Sequence, residues 1–153
     1  MAKIDELDML LVKELQYDGR RSFREIAEKL KVAEGTVYNR VSKLRELGVI
    51  KNFITDIDYS KLGYDLTAVI GVIASGGRLP DIEEKISKEE NVTAVYDVTG
   101  EYDAIVVAKF KDRDALNVLV KKLNAMENVE RTYTMVVLNV VKEKHGIELE
   151  RPK

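Results

Sequence analysis

Cysteine is missing from the chain, which excludes disulfides, thiolate chemistry and cysteine zinc sites. Histidine occurs once, as His145 near a polar C-terminus, so a histidine metal cluster or a His-based triad within one chain is excluded. No apolar run approaches transmembrane length, and the opening MAKIDELDML lacks a signal-peptide profile. A cytoplasmic protein without membrane association is the expectation. Glutamine occurs once, at Gln16, while Lys and Glu help bring charged residues to 34%, a composition that leans toward a thermophilic source. Carboxylates abound, yet no nucleophile–base pair or metal cluster is recognisable, so neither catalysis nor a metal or cofactor is expected.

What is present is a chain of 153 residues, 45% hydrophobic, able to bury a core as one domain or two small ones. Its most informative stretch is Ser22 to Leu47, which reads as two helices joined by a tight turn. Ser22 followed by Glu25 forms a capping box, and Phe23, Ile26, Ala27 and Leu30 give the first helix one apolar side. In the second, Val37, Val41, Leu44 and Leu47 form a narrow inward stripe that Gly48 terminates. Gly35, Tyr38, Asn39, Ser42 and Lys43 are left on the opposite side, with Thr36 and Arg40 on the flanks. A solvated amphipathic hairpin would share this periodicity, but charge favours a reader of the DNA major groove. From Arg20 to Lys51 nine basic residues face four acidic ones, a local +5 in a chain of net charge −2.

Ile4, Leu7, Leu11 and Leu15 predict an earlier helix from about Asp5 to Tyr17, which completes a three-helix unit of about fifty residues with a marginal core. Beyond Gly48 the period changes: Phe53, Thr55, Ile57 and Tyr59 alternate with other residues and predict a linking strand. Residues 1–63 carry net +1 and residues 64–153 net −3, so basic and acidic modules divide near SKLGYD. The second module reads strand (LTAVIGVIA), helix from Pro80 to about Glu89, strand (NVTAVYDV), strand (DAIVVAKF), helix capped by Asp112, and a long strand alternating to about Lys142. Two βαβ halves in tandem are the ferredoxin-like signature. The expected class is therefore α+β: a helix-turn-helix domain, winged-helix-like, over 1–48, a hinge over 49–63, a ferredoxin-like βαββαβ sandwich over 64–144 and a loose polar tail over 145–153.

The segments IDELDMLLVKELQYDGRRSFREIAEKLKV, GTVYNRVSKLRELGVIKNF, YSKLGYD and YDVTGEYDAIVVAKF, in this order and spacing, resemble the feast/famine regulators of the leucine-responsive regulatory protein/AsnC family. The resemblance implies a DNA-binding transcriptional regulator whose C-terminal sandwich dimerises and binds an amino acid. It also implies dimers that often assemble into octamers or higher discs, with the linking strand pairing to its partner's copy. One departure is Ala33, where the family usually places Ser at the start of the recognition helix; a side-chain cap typically worth about 1 kcal/mol is absent.

By chemistry, Asn39 suits bidentate pairing with adenine, and Tyr38 or the Thr36 methyl suits a thymine methyl. Arg40, Lys43, Arg24 and Ser22 suit phosphate contacts that set register on a pseudo-palindromic operator, although Arg40 could equally bridge to Glu46 or Glu14. In VTGEYD, Gly100 permits close backbone approach, Thr99, Glu101 and Tyr102 surround it, and Asp103 can receive an α-ammonium. A plain hairpin connection would use Gly and Asp in the same way; the resemblance makes this the effector-binding loop. Thr132 and Thr134 are expected to add hydroxyls, from the same or a neighbouring subunit, and Glu101 with Asp97 suggests a basic or polar amino acid. The alternative function is an architectural protein that wraps DNA without an effector, which the lack of net positive charge disfavours.

Overall fold

The computed structural model describes residues 4–144 and 146–149, so His145 lies outside the described residues. The chain divides into two compact units. One comprises the described residues through Asp56 together with those from Lys142 onward, and the other spans Ile57–Val141.

The first unit holds helices α1 (Glu6–Tyr17), α2 (Phe23–Leu30) and α3 (Glu34–Glu46). Each starts where its local chemistry supplies a cap, except α3. Asp5 and Asp8 form a reciprocal capping box on α1, and Ser22 and Glu25 form another on α2. Ala33 begins α3 without a side-chain cap, as its methyl dictates. Lys31 closes α2 in the left-handed region at φ 56°. The core consists of Leu11, Leu15, Ile26, Ala27, Val37, Val41 and Leu44. Leu47, expected to end the inward stripe, lies past the last helical residue and is exposed, because α3 stops at Glu46 and Gly48 turns the chain at φ 70°.

The expected tail, where it is described, makes two hydrogen bonds to α1. The Gln16 amide donates to the Ile147 carbonyl at 2.8 Å, and Lys13 Nζ reaches the Leu149 carbonyl at 3.5 Å. Where the linking strand is expected, residues 51–58 carry no strand or helix within the single chain, and a short 3₁₀ turn covers Tyr59–Leu62. The alternating pattern is real, but a strand needs a backbone partner; among the described residues of this chain no strand pairs there, and the expected partner is the linking strand of a second copy. Phe53 and Ile54 stay exposed as a result.

The second unit runs β1 (Leu66–Ala74), α4 (Leu79–Ile86), β2 (Val92–Asp97), β3 (Ala104–Phe110), α5 (Arg113–Asn124) and β4 (Val129–Val136). The strands form one antiparallel sheet in the order β2-β3-β1-β4, which is the ferredoxin-like topology. Ala68, Ile70 and Val72 of β1 and Ala104, Val106, Ala108 and Phe110 of β3 face the helices, against Ile82, Ile86, Leu116, Leu119 and Leu123. The opposite face carries Val69 and Ile73, with Ile105 and Val107, half-buried within the single chain. β4 ends six residues before its expected limit at Lys142 because its template runs out: Val136 pairs with Ala68, and only the Val137 amide reaches further, to Thr67.

Candidate DNA-reading helix and effector loop

On α3, Gly35, Tyr38 and Asn39 are exposed, while Thr36, Arg40, Ser42 and Lys43 are half-buried. Tyr38 is 60% exposed, yet its ring sits edge-on to Phe23 of α2 with centroids 6.3 Å apart. It therefore helps join the two helices while presenting its outer edge. Ser22 is engaged in capping α2: its hydroxyl accepts from the Glu25 amide at 3.2 Å and donates to the Glu25 carboxylate at 2.7 Å. That hydroxyl bond is the main reason the Glu25 carboxyl lies below its ordinary value. Arg24 makes an exposed i,i+4 pair with Glu28 at 3.1 Å, an interaction weak enough to yield to a phosphate.

Arg40 departs most from its expected surroundings. Its guanidinium Nη1 lies 2.5 Å from Asp5 Oδ2 and 2.9 Å from Asp8 Oδ1, while Glu14, one of its expected alternative partners, instead holds Arg21 and Lys29. Lys43 Nζ also lies 2.9 Å from Asp8. The Arg40 bond holds Asp5 at about 2, well below the usual carboxylate range. Burial pushes Asp8 upward, but bonds from Lys43, the Asp5 amide and Arg40 outweigh it and leave that carboxyl lowered. Asp8 is not among the residues that sequence reasoning singles out. The available signal is its place at i, i+3 and i+7 with Leu11 and Leu15, a charged residue in an apolar stripe.

In the second unit, Thr99, Gly100 and Glu101 are exposed in the β2–β3 loop, and Tyr102 and Asp103 are half-buried at its return. Gly100 adopts φ 127°, a conformation that favours glycine. Asp103 anchors the loop to β1: its amide donates to the Val72 carbonyl at 2.9 Å, and its Oδ2 accepts from the Ala74 amide at 2.7 Å. The Tyr102 ring covers Gly71, where a Cβ would lie 2.6 Å from the ring, and meets Tyr133 at a centroid distance of 5.5 Å. Gly71 is not among the expected site residues, although a glycine inside the apolar run LTAVIGVIA signals such a close approach.

Thr132 and Thr134 do not share a sheet face with this aromatic pair. Register places them opposite Val72 and Ile70, on the helix-covered face, and Thr132 Oγ1 donates to Asn124 of α5 at 3.1 Å. Period-two alternation puts Tyr133 on the other side. Among the described residues, no group of three or more His, Cys, Asp or Glu side chains could hold a metal, and no helix is long and apolar enough to cross a membrane.

A basic helix-turn-helix followed by a ferredoxin-like sandwich defines a class of DNA-binding regulators with a separate second domain. Comparison with known proteins makes the assignment specific. Residues 4–45 match the AsnC-type helix-turn-helix domain, and residues 67–147 match the Lrp/AsnC ligand binding domain. An uncharacterised HTH-type transcriptional regulator of Pyrococcus furiosus is 49% identical, over 95% of this chain and 99% of its own. Among solved structures, AsnC of E. coli has a TM-score of 0.82 at 28% identity, covering 98% of this chain and 99% of that one. The feast or famine regulatory protein of M. tuberculosis, complexed with L-methionine, has a TM-score of 0.86 at 26% identity and covers 98% and 100%. The chain belongs to the Lrp/AsnC family of DNA-binding transcriptional regulators.

Proposed function

We propose that the chain binds pseudo-palindromic operators as a dimer or higher assembly, and that a small amino acid changes both the assembly and the operator affinity. In this reading residues 1–48 contact DNA, 49–63 form the hinge, and 64–144 bind effector and join subunits. The observation that carries the DNA half is the exposed polar side of α3, with Asn39 and Tyr38 facing outward from a helix packed through Val37, Val41 and Leu44. Asn39 reads an adenine, Tyr38 and Thr36 meet thymine methyls, and Ser22, Arg24 and Lys43 contact the backbone. The Lys43 side chain stays 37% exposed while bonded to Asp8, which is compatible with a phosphate contact.

The sensing half rests on the loop from Thr99 to Asp103, with its glycine at φ 127° and a carboxylate fixed at the sheet end. A family member complexed with L-methionine supports an amino acid as the ligand class. The apolar face of Val69, Ile73, Ile105 and Val107, on the side away from the helices, suits a second copy and thus a dimer. A protein of this kind acts in the cytoplasm.

Ligand and DNA must be coupled reciprocally, since an effector shifts an equilibrium only through different affinity for its two states. The test is to measure particle mass and affinity for a selected operator across the proteinogenic amino acids. At least one should change both. Constant mass and affinity throughout would remove the sensing half and leave the DNA half standing.

A further inference from the structure

We propose that Asp8, together with Asp5, positions the DNA-reading helix by holding Arg40, and that Arg40 serves this internal clamp and makes no phosphate contact. Asp8 is 0% exposed, and both of its oxygens are occupied. Oδ1 accepts from Arg40 at 2.9 Å, and Oδ2 accepts from Lys43 at 2.9 Å and from the Asp5 amide at 3.1 Å. Asp5 Oδ1 in turn accepts from the Asp8 amide at 2.9 Å and from Arg40 at 2.6 Å. The cap of α1 and two cations of α3 thus form one network.

Such a network fixes geometry more strongly than it adds stability. A buried carboxylate that loses its cation is left uncompensated, so any rotation or slide of α3 against α1 breaks several charge-assisted bonds together. The apolar stripe of α3 allows small slippage; Arg40 Nη1, bonded to three oxygens of two carboxylates, does not. Asn39 immediately precedes Arg40, so the outward side chain that meets a base edge is set by the inward-leaning one. Reading a base needs that register, whereas contacting an arbitrary phosphate does not. The clamp therefore belongs to specificity. It also gives an acidic cost a purpose: two carboxylates beside a DNA-reading helix oppose nonspecific binding.

The test uses the full chain, a duplex selected by it from a randomised pool, and a shuffled duplex of equal length, each titrated across salt concentrations. Arg40→Ala is expected to weaken the selected duplex at least about tenfold while leaving the slope of log affinity against log salt unchanged. A slope shallower by about 0.9 would mean that a phosphate contact was lost, and would overturn the proposal. So would a loss below twofold. Asp8→Asn is expected to weaken the selected duplex but bind the shuffled one as tightly or more tightly, so that the ratio between them falls. Equal loss on both duplexes by a folded protein would reduce Asp8 to a stability role and sink the idea. Should Asp8→Asn fail to fold, Arg40→Lys, which keeps the charge and replaces the planar guanidinium with a point-charge ammonium on a differently shaped stem, is expected to lower the ratio at an unchanged slope; a ratio equal to the parent's counts against the clamp. The DNA reading itself fails only if the parent selects no duplex at all.

Discussion

The Arg40 guanidinium rests on the Asp5 carboxylate, with Nη1 2.5 Å from one oxygen and 2.6 Å from the other. The pair joins the N-cap of α1 to the middle of α3, and its chemistry predicts how the unit responds to acid. Asp5 titrates at about 2 in the folded protein against an ordinary 3.8, and Asp8 is lowered as well. A depressed folded value means the contribution is complete above about pH 4 and is lost as pH falls toward about 2. The thermal midpoint of the helical unit, followed by far-UV circular dichroism, should drop across that window. In Arg40→Ala the same limb should be flatter, and an equal drop in both proteins would separate acid lability from this pair.

Ala33 offers a gain. Its backbone, at φ −71° and ψ 146°, already has the extended conformation of an N-cap, but its side chain supplies no acceptor to the first turn of α3. Ala33→Ser should add about 1 kcal/mol to stability, which for a small domain raises the midpoint by roughly 4–8 °C. Ala33→Val, which has no acceptor, should not. A serine variant no more stable than the parent would mean that water already caps this helix adequately.

Gly71 should tolerate no side chain while Tyr102 stays in place. Its φ is not in the left-handed region, so the obstacle is steric: a Cβ would lie 2.6 Å from the Tyr102 ring. Gly71→Ala is expected to cost about 1–3 kcal/mol by overpacking, and to weaken any amino-acid response by displacing the loop that Tyr102 ends. Adding Tyr102→Ala should restore most of the stability but not the response. Calorimetry of the single and double variants decides the first point, and particle mass with amino acid present decides the second. A Gly71→Ala protein as stable as the parent would show that the ring moves aside freely.

Short-range chemistry was legible in the sequence. The caps at Ser22 and Asp112, the strand LTAVIGVIA and the uncapped Ala33 follow from side-chain type and spacing alone. What was not legible depends on partners remote in the chain. The alternation around Phe53 has the period of a strand, yet among the described residues of one chain no strand lies beside it; the partner expected there belongs to a second copy. The long apolar alternation after Val136 overruns the β1 residues that template it. Residue type leaves Arg40 open to a phosphate or to an internal carboxylate, because nothing local reveals that Asp5 and Asp8 lie against it. Residue type likewise groups Thr132 and Thr134 with the effector loop, and strand register puts them on the other sheet face from Tyr102 within one chain. Chemistry of single residues was thus readable, while the face each one occupies needed the sheet.

The carbonyls of Ile147 and Leu149, held by Gln16 and Lys13, mean that the polypeptide visits its helical unit twice, once on the way out and once on return. A fragment cut after Asp56 is consequently a different object from the same residues in the whole chain, with Gln16 and Lys13 facing solvent. Affinities measured on such a fragment describe α1 stripped of its lining, and a label fused after residue 149 would sit beside the helix whose first turn steadies α3.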